Sequence, residues 1–222
     1  MPRTGLFGLI AIALTVATPA WAESLGGRHY MVVWGYQAEP NVPENSHTFA
    51  SFYRGDDLAR GTNSPLTISW LPATRVVRPH GQERGRNFSL GETLRIARDR
   101  KFTVNAYGPY EIKADLYRRA RERLRVLNSG KIQYAMINGS EDAVNCIAAV
   151  GEIGGPINTG FDYGFAASLA VVNHLSAWMP NPSRVVQRVA NILGIDAIVS
   201  RTRRSMQQAY SPIADQFEAE HR

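Results

Sequence analysis

Ser46-His47-Thr48-Phe49-Ala50-Ser51-Phe52 is the stretch on which the fold turns. Apolar Phe49 alternates with small Ser51, and the flanks are turn-like: Glu39–Ser46 carries two prolines and two asparagines, while Arg54–Ser64 is charged and contains glycine. Two neighbours have the same character. Tyr30–Tyr36 is rich in valine and aromatics, and Leu66–Leu71 sits between Pro65 and Pro72. Three short strands separated by turns predict an antiparallel sheet built early in the chain.

Helical signals follow. Ser89-Leu90-Gly91-Glu92 has the capping-box pattern, in which Ser and the Glu three residues on satisfy each other's backbone N–H groups, so a helix is predicted to about Arg100. Phe102–Asn105 reads as a short strand. Over Tyr110–Asn128, Ile112, Leu116, Ala120, Leu124 and Leu127 line one helical face, and Gly130 stands where a helix stop is expected. The opposite face carries Arg118, Arg119, Arg121, Arg123 and Arg125, read as a solvated face paired with Asp115 and Glu122, or else as a surface for an anionic polymer or lipid. Ile132–Ile137 reads as a strand. The predicted class is therefore α+β, a small antiparallel sheet packed against helices.

Cys146 is the only cysteine, within Val144-Asn145-Cys146-Ile147-Ala148-Ala149. Asn145 is a good N-cap, and Cys146–Ile153, ended by Gly154-Gly155-Pro156, has the length of a short helix. In a first helical turn, unsatisfied N–H groups and the helix dipole favour thiolate over thiol. The opposing reading is a buried small hydrophobe among Ile147, Ala148, Ala149 and Val150. A single cysteine forms no internal disulfide, so stability gives no reason for it. Catalysis needs a partner, and there are five histidines. His221 lies in a charged tail, His174 in an apolar helix and His80 in the Arg78–Arg86 loop, whereas His29 and His47 each open a strand.

At the start of the chain, Arg3 precedes the apolar run Leu6–Val16, and Ala20-Trp21-Ala22 offers small residues at a cleavage site. Residues 1–22 are expected to be a signal peptide, because an apolar run of 11 residues is far short of the roughly 20 that span a bilayer. One domain with a C-terminal helical segment is expected over 23–193, followed by a basic and polar tail over 194–222. The protein is expected to be exported, periplasmic or extracellular. The net charge of +6 comes almost wholly from arginine, with only three lysines. No nucleic-acid motif accompanies it, so no nucleic-acid partner is expected. Nor do His or acidic residues stand at metal-ligand spacing; neither metal nor cofactor is expected.

A histidine opening a strand, with Asn-Cys at a helix start much later, resembles the circularly permuted papain-like thiol proteins related to the NlpC/P60 fold, best known from the lecithin:retinol acyltransferase-like group. The resemblance implies a general-base His on the small sheet and a nucleophilic Cys at a helix N-terminus. In the preferred register His47 is the base and Asn145-Cys146 the nucleophile motif, with Thr67 or Ser69 left to orient the imidazole. In the other, His29-Tyr30 with Gly35 supplies the base and His47 orients. Tyr134, upstream of the cysteine, also resembles the family. The departures are Ile-Ala-Ala after Cys146, where the family has Glu-His-Phe, and no second His on the next strand in the preferred register.

The resemblance implies an exported cysteine-dependent hydrolase or acyltransferase acting on an amide or ester bond of the cell envelope, in a peptide or a lipid. Backbone N–H groups at the Asn145-Cys146 helix start would hold the oxyanion, and Glu152–Tyr163 is a candidate lid. The alternative is a non-catalytic envelope binding or structural protein that keeps a papain-like fold.

Overall fold

The computed structural model describes residues 25–137 and 142–202. The expected signal peptide, His221 and the end of the tail lie outside them. Valine and aromatic residues make β1 (His29–Gln37) apolar on both sides, so it is buried between two layers of helices. It is flanked by β2 (Ser46–Arg54) and β6 (Thr103–Ile112), both antiparallel to it, with β3 (Leu66–Ile68) beyond β2. The class is α+β, as the strand and helix patterns imply.

A second small sheet has the order β4 (Trp70–Pro72), β5 (Glu83–Asn87), β7 (Gln133–Tyr134) and β8 (Ala143–Val144). Its last pair is parallel. The expected strand Leu66–Leu71 is thus two strands in two sheets, split at Ser69. Asn87 mediates the split: its side chain accepts from Ser69 N at 2.9 Å and donates to Thr67 O at 2.9 Å, satisfying backbone groups that the strand change leaves without ladder partners.

Helix α1 (Gly55–Ala59) follows β2 directly, and α2 (Leu90–Asp99) carries both halves of the predicted capping box. Helix α3 (Ala114–Leu127) starts later than expected. Residues Tyr107–Ile112, partly assigned to the helix from sequence, extend β6 instead, because their aromatic and β-branched side chains pair with β1 across a bulge at Met31/Val33. Pro109 is tolerated because β6 is an edge strand of its sheet.

Helices α4 (Cys146–Gly151) and α5 (Gly164–His174) cover one face of the first sheet; α2 and α6 (Gln187–Leu193) cover the other. Helix α5 sits so close to β1 that a Cβ on Gly35 would lie 2.6 Å from Ser168 Oγ, so only glycine fits there. The packed body runs past the expected boundary at 193: Ile195 is buried, and the Thr202 hydroxyl accepts from Val104 N at 3.3 Å. Among the described residues no helix is long and apolar enough to cross a membrane.

The arginine face of α3 divides. Arg118 and Arg125 pair with Asp115 and Glu122 as expected. Arg123 instead turns inward to Glu152 and to the carbonyls of Ala148 and Ala149, and Arg119 stacks on Trp178 while donating to Ile153 O. These two long side chains tie α3 to α4 and the turn after it, so the face is only partly a solvated one.

Candidate active site

His47 enters the site because β2 begins there, opposite Tyr36 of β1. Its ring stacks on Phe49, with centroids 5.3 Å apart, and tilts against Tyr36 at 5.1 Å. One edge of the ring is tied down, Nε2 lying 2.9 Å from Ser69 Oγ. Ser69 is free to make this contact because the chain changes sheets at that residue. The Thr93 hydroxyl, from the buried face of α2, is 2.7 Å from Ser69 Oγ and 2.9 Å from the Ser89 carbonyl. His47 Nδ1 is buried without a hydrogen-bond partner among the described residues.

Cys146 is the first residue of α4, where the sequence pattern places it. Asn145 caps the helix by accepting from Ala148 N at 2.9 Å, and its amide nitrogen donates to Met136 O at 3.1 Å. The Asn145 side chain is therefore engaged at both ends as a brace. The Cys146 thiol and His47 line one narrow cavity of about 20 Å³ together with Ser46, Thr48, Tyr134 and Tyr163. That volume is enough for about one water molecule. No charged side chain from the described residues lines it.

Electrostatics here depart from the expectation of an activated thiolate. Burial pushes the Cys146 thiol up to about 11, outweighing the backbone N–H groups of Thr48, Cys146 and Ile147, which favour the thiolate. A helix of six residues adds too little dipole to reverse this. Burial also lowers His47 to about 3, so imidazole and thiol are both neutral at rest. Tyr36 and Tyr134 are held protonated by burial, and the nearby thiol reinforces both shifts.

Of the other sequence candidates, His29 stands at the far end of β1, seven residues from Tyr36, or roughly 23 Å at strand rise. It packs on Tyr117 with ring centroids 4.6 Å apart. Thr67 has a buried hydroxyl with no partner among the described residues, so of the two proposed orienters it is Ser69 that reaches the imidazole. His174 Nε2 is 3.1 Å from Gly155 O, away from the thiol cavity. Sequence reasoning missed Thr93, whose signal was present: it is a polar residue on the same face of its helix as Ile96 and Ala97, all three being buried.

Next to the thiol cavity lies a larger groove of about 440 Å³, sharing Met136, Asn145, Ile147 and Tyr163 with it. Ile157 and Phe161 of the Glu152–Tyr163 loop line it, and Phe161 is 90% exposed. No charged side chain from the described residues lines this groove either. Comparison with protein-family models, curated proteins and solved structures finds no match to this chain.

Proposed function

We propose that this is an exported cysteine-dependent hydrolase or acyltransferase, cleaving an amide or ester bond with Cys146 as nucleophile and His47 as general base. One observation carries the reading: Cys146 and an imidazole braced through Nε2 line one cavity, and the imidazole nitrogen left without a partner among the described residues is Nδ1. Such a base, oriented by a third group, is what a thiol nucleophile requires.

Magnitudes define how the chemistry must run. With the thiol at about 11 and the imidazole at about 3, proton transfer at rest is uphill by on the order of 10 kcal/mol before the attraction of the resulting ions. Proton transfer is therefore coupled to attack on the substrate. Sγ attacks the carbonyl carbon as its proton passes to Nδ1. The resulting oxyanion takes N–H donors from the start of α4. Collapse expels an amine or alcohol, which takes the proton back from His47. Water, or a second acceptor, then attacks the thioester and restores the thiol. The uncharged groove beside the cavity suits an apolar acyl group or side chain, and the exposed Phe161 loop suits a cover over it. An envelope peptide or lipid ester fits both this surface and export.

The buried, high-pKa thiol favours a second reading, a non-catalytic envelope binding or structural protein. Incubation with p-nitrophenyl acetate separates the two. The enzyme should show a burst of nitrophenol and an acyl adduct on Cys146 by intact mass, both absent in Cys146→Ala. A thiol that is acylated or alkylated only after denaturation would leave the binding-protein reading. The same mass measurement tests export, since cleaved protein from cells should begin at Glu23.

A further inference from the structure

His47 Nε2, Ser69 Oγ, Thr93 Oγ1 and the Ser89 carbonyl form a line of four polar atoms, with successive separations of 2.9, 2.7 and 2.9 Å. The three side chains are buried, with at most 1% exposure. The Ser89 oxygen can only accept, which fixes one end. At the other end the imidazole carries one proton, on Nε2 or on Nδ1, and Nδ1 has no partner among the described residues.

The Thr93 hydroxyl has one hydrogen and two acceptors in reach. When that hydrogen points to Ser69, the Ser69 hydrogen is left for Nε2. The imidazole proton then sits on Nδ1, a buried N–H with no acceptor. When the Thr93 hydrogen points to Ser89, Ser69 donates to Thr93 and Nε2–H donates to Ser69. Every hydrogen in the line then has an acceptor, and Nδ1 keeps its lone pair. Buried N–H groups without acceptors are rarer than under-satisfied acceptors, which selects the second arrangement. The other titratable groups near the ring, Tyr36 from β1, Tyr134 from β7 and Cys146 from α4, are held neutral by burial and supply no charge to choose otherwise.

We propose that Thr93 is a positioning residue which, through Ser69, holds the proton of His47 on Nε2 and so keeps Nδ1 free to accept. The significance of this relay rests on His47 acting as the base, but the tautomer itself can be read without any substrate.

The experiment is 15N NMR of histidine-labelled full-length protein at neutral pH, with His47 assigned by its loss in His47→Gln. Wild type should show the protonated nitrogen at Nε2. Thr93→Val keeps the shape and removes the hydroxyl, so Ser69 should turn its hydrogen to Nε2 and move the imidazole proton to Nδ1. Acylation of Cys146 should fall at least about tenfold with it, and Thr93→Ser should restore both. A folded Thr93→Val that keeps its proton on Nε2 overturns the proposal, as does a Thr93→Ser that behaves like valine. Should the valine variant not fold, Ser69→Ala carries the test: the single tautomer should give way to a mixture, and an unchanged Nε2–H signal overturns the relay. In the Ser69→Ala background Thr93→Val should add nothing further to the tautomer. A Thr93-dependent tautomer beside an unreactive thiol would sink only the enzymatic reading. A reactive thiol beside a Thr93-independent tautomer would sink only the relay.

Discussion

The β1–β2 ladder has a histidine near each end, and the two live in different worlds. His29 pairs across the sheet with Arg54, rests on the Tyr117 ring and has ion pairs around it, Arg28 with Glu111 and Arg54 with Asp56 and Asp57. His47 pairs with Tyr36, is 1% exposed, and meets only hydroxyls, aromatic rings and a thiol cavity. Burial lowers both imidazoles, but at His29 the Arg54 charge adds to a modest effect, whereas at His47 desolvation alone takes the value to about 3. Residue type and strand position are shared. The surroundings make one a candidate base and the other a surface residue.

Activity should split the two ends most widely. His47→Gln is expected to lower kcat/KM for p-nitrophenyl acetate by about 10²- to 10⁴-fold, the usual worth of a positioned general base. His29→Gln should stay within about twofold of wild type, since nothing at that end approaches the cavity. Equal losses at both ends would break the comparison and revive the register in which His29 is the base.

Acid should split them next. An unfolded chain protonates His47 near 6.5, but the folded protein resists until about 3, so the unfolded state binds the extra proton throughout that window. Stability from this group is therefore complete above 6.5 and lost as pH falls towards 3, by about 1.4 kcal/mol per pH unit. Urea unfolding between pH 7 and 4 should show this slope in wild type and in His29→Gln, and a flatter one in His47→Gln. The thiol gives the mirror effect at high pH: because Cys146 is raised from 9.0 to about 11, its stability contribution is lost as pH rises from 9 towards 11. An unchanged acid slope in His47→Gln would mean that this imidazole is solvated in the folded protein.

The ends also differ in how much of them the sequence disclosed. His47, Cys146 and the cap at Asn145 were legible because local rules govern them: strand flanks, helix capping, and the scarcity of a single thiol. Ser69 was legible only as a candidate, since its contact with His47 depends on the strand changing sheets under the control of Asn87, 18 residues away. Thr93 and the inward turn of Arg119 and Arg123 were missed because they are set by tertiary packing, which a helical wheel does not contain. Strand β6 was cut short and α3 started too early because Ile112 also fits the apolar spacing of the helix, whereas pairing with β1 makes Tyr107–Ile112 strand. The thiolate expectation failed for a related reason: the first-turn position is local, but the burial that outweighs it comes from β2, β7 and the loop before α5 closing over the sulfur.

Ser69→Ala should cost about 1–3 kcal/mol, because it leaves the buried Nε2 of His47 without a partner as well as removing a hydroxyl. At the other end Tyr117→Leu removes the ring contact with His29 and keeps an apolar side chain packed against the core, with an expected loss of about 0.5–1.5 kcal/mol. Thermal or urea unfolding of the two variants measures both. If the tyrosine change costs more than the serine change, the His47 end is not the more tightly constrained of the two.

The smallest effect belongs to the ion pairs around His29. Arg28 Nη1 lies 3.2 Å from Glu111 Oε2, with half of the arginine side chain and a third of the glutamate exposed. Water screens such a pair, and ordering two long side chains offsets much of the attraction, so exposed pairs contribute about 0–1 kcal/mol. Glu111→Gln keeps the shape and removes the charge. It should lower stability by under about 0.5 kcal/mol at low salt, with the difference shrinking at about 0.5 M salt as the Debye length falls well below 10 Å. By the same logic it should leave Cys146 acylation unchanged, because no charge at that end reaches the buried cavity through the sheet. A loss of acylation in Glu111→Gln would show that the two ends of the ladder are coupled through β1, and the contrast drawn between the histidines would have to be rebuilt around that strand.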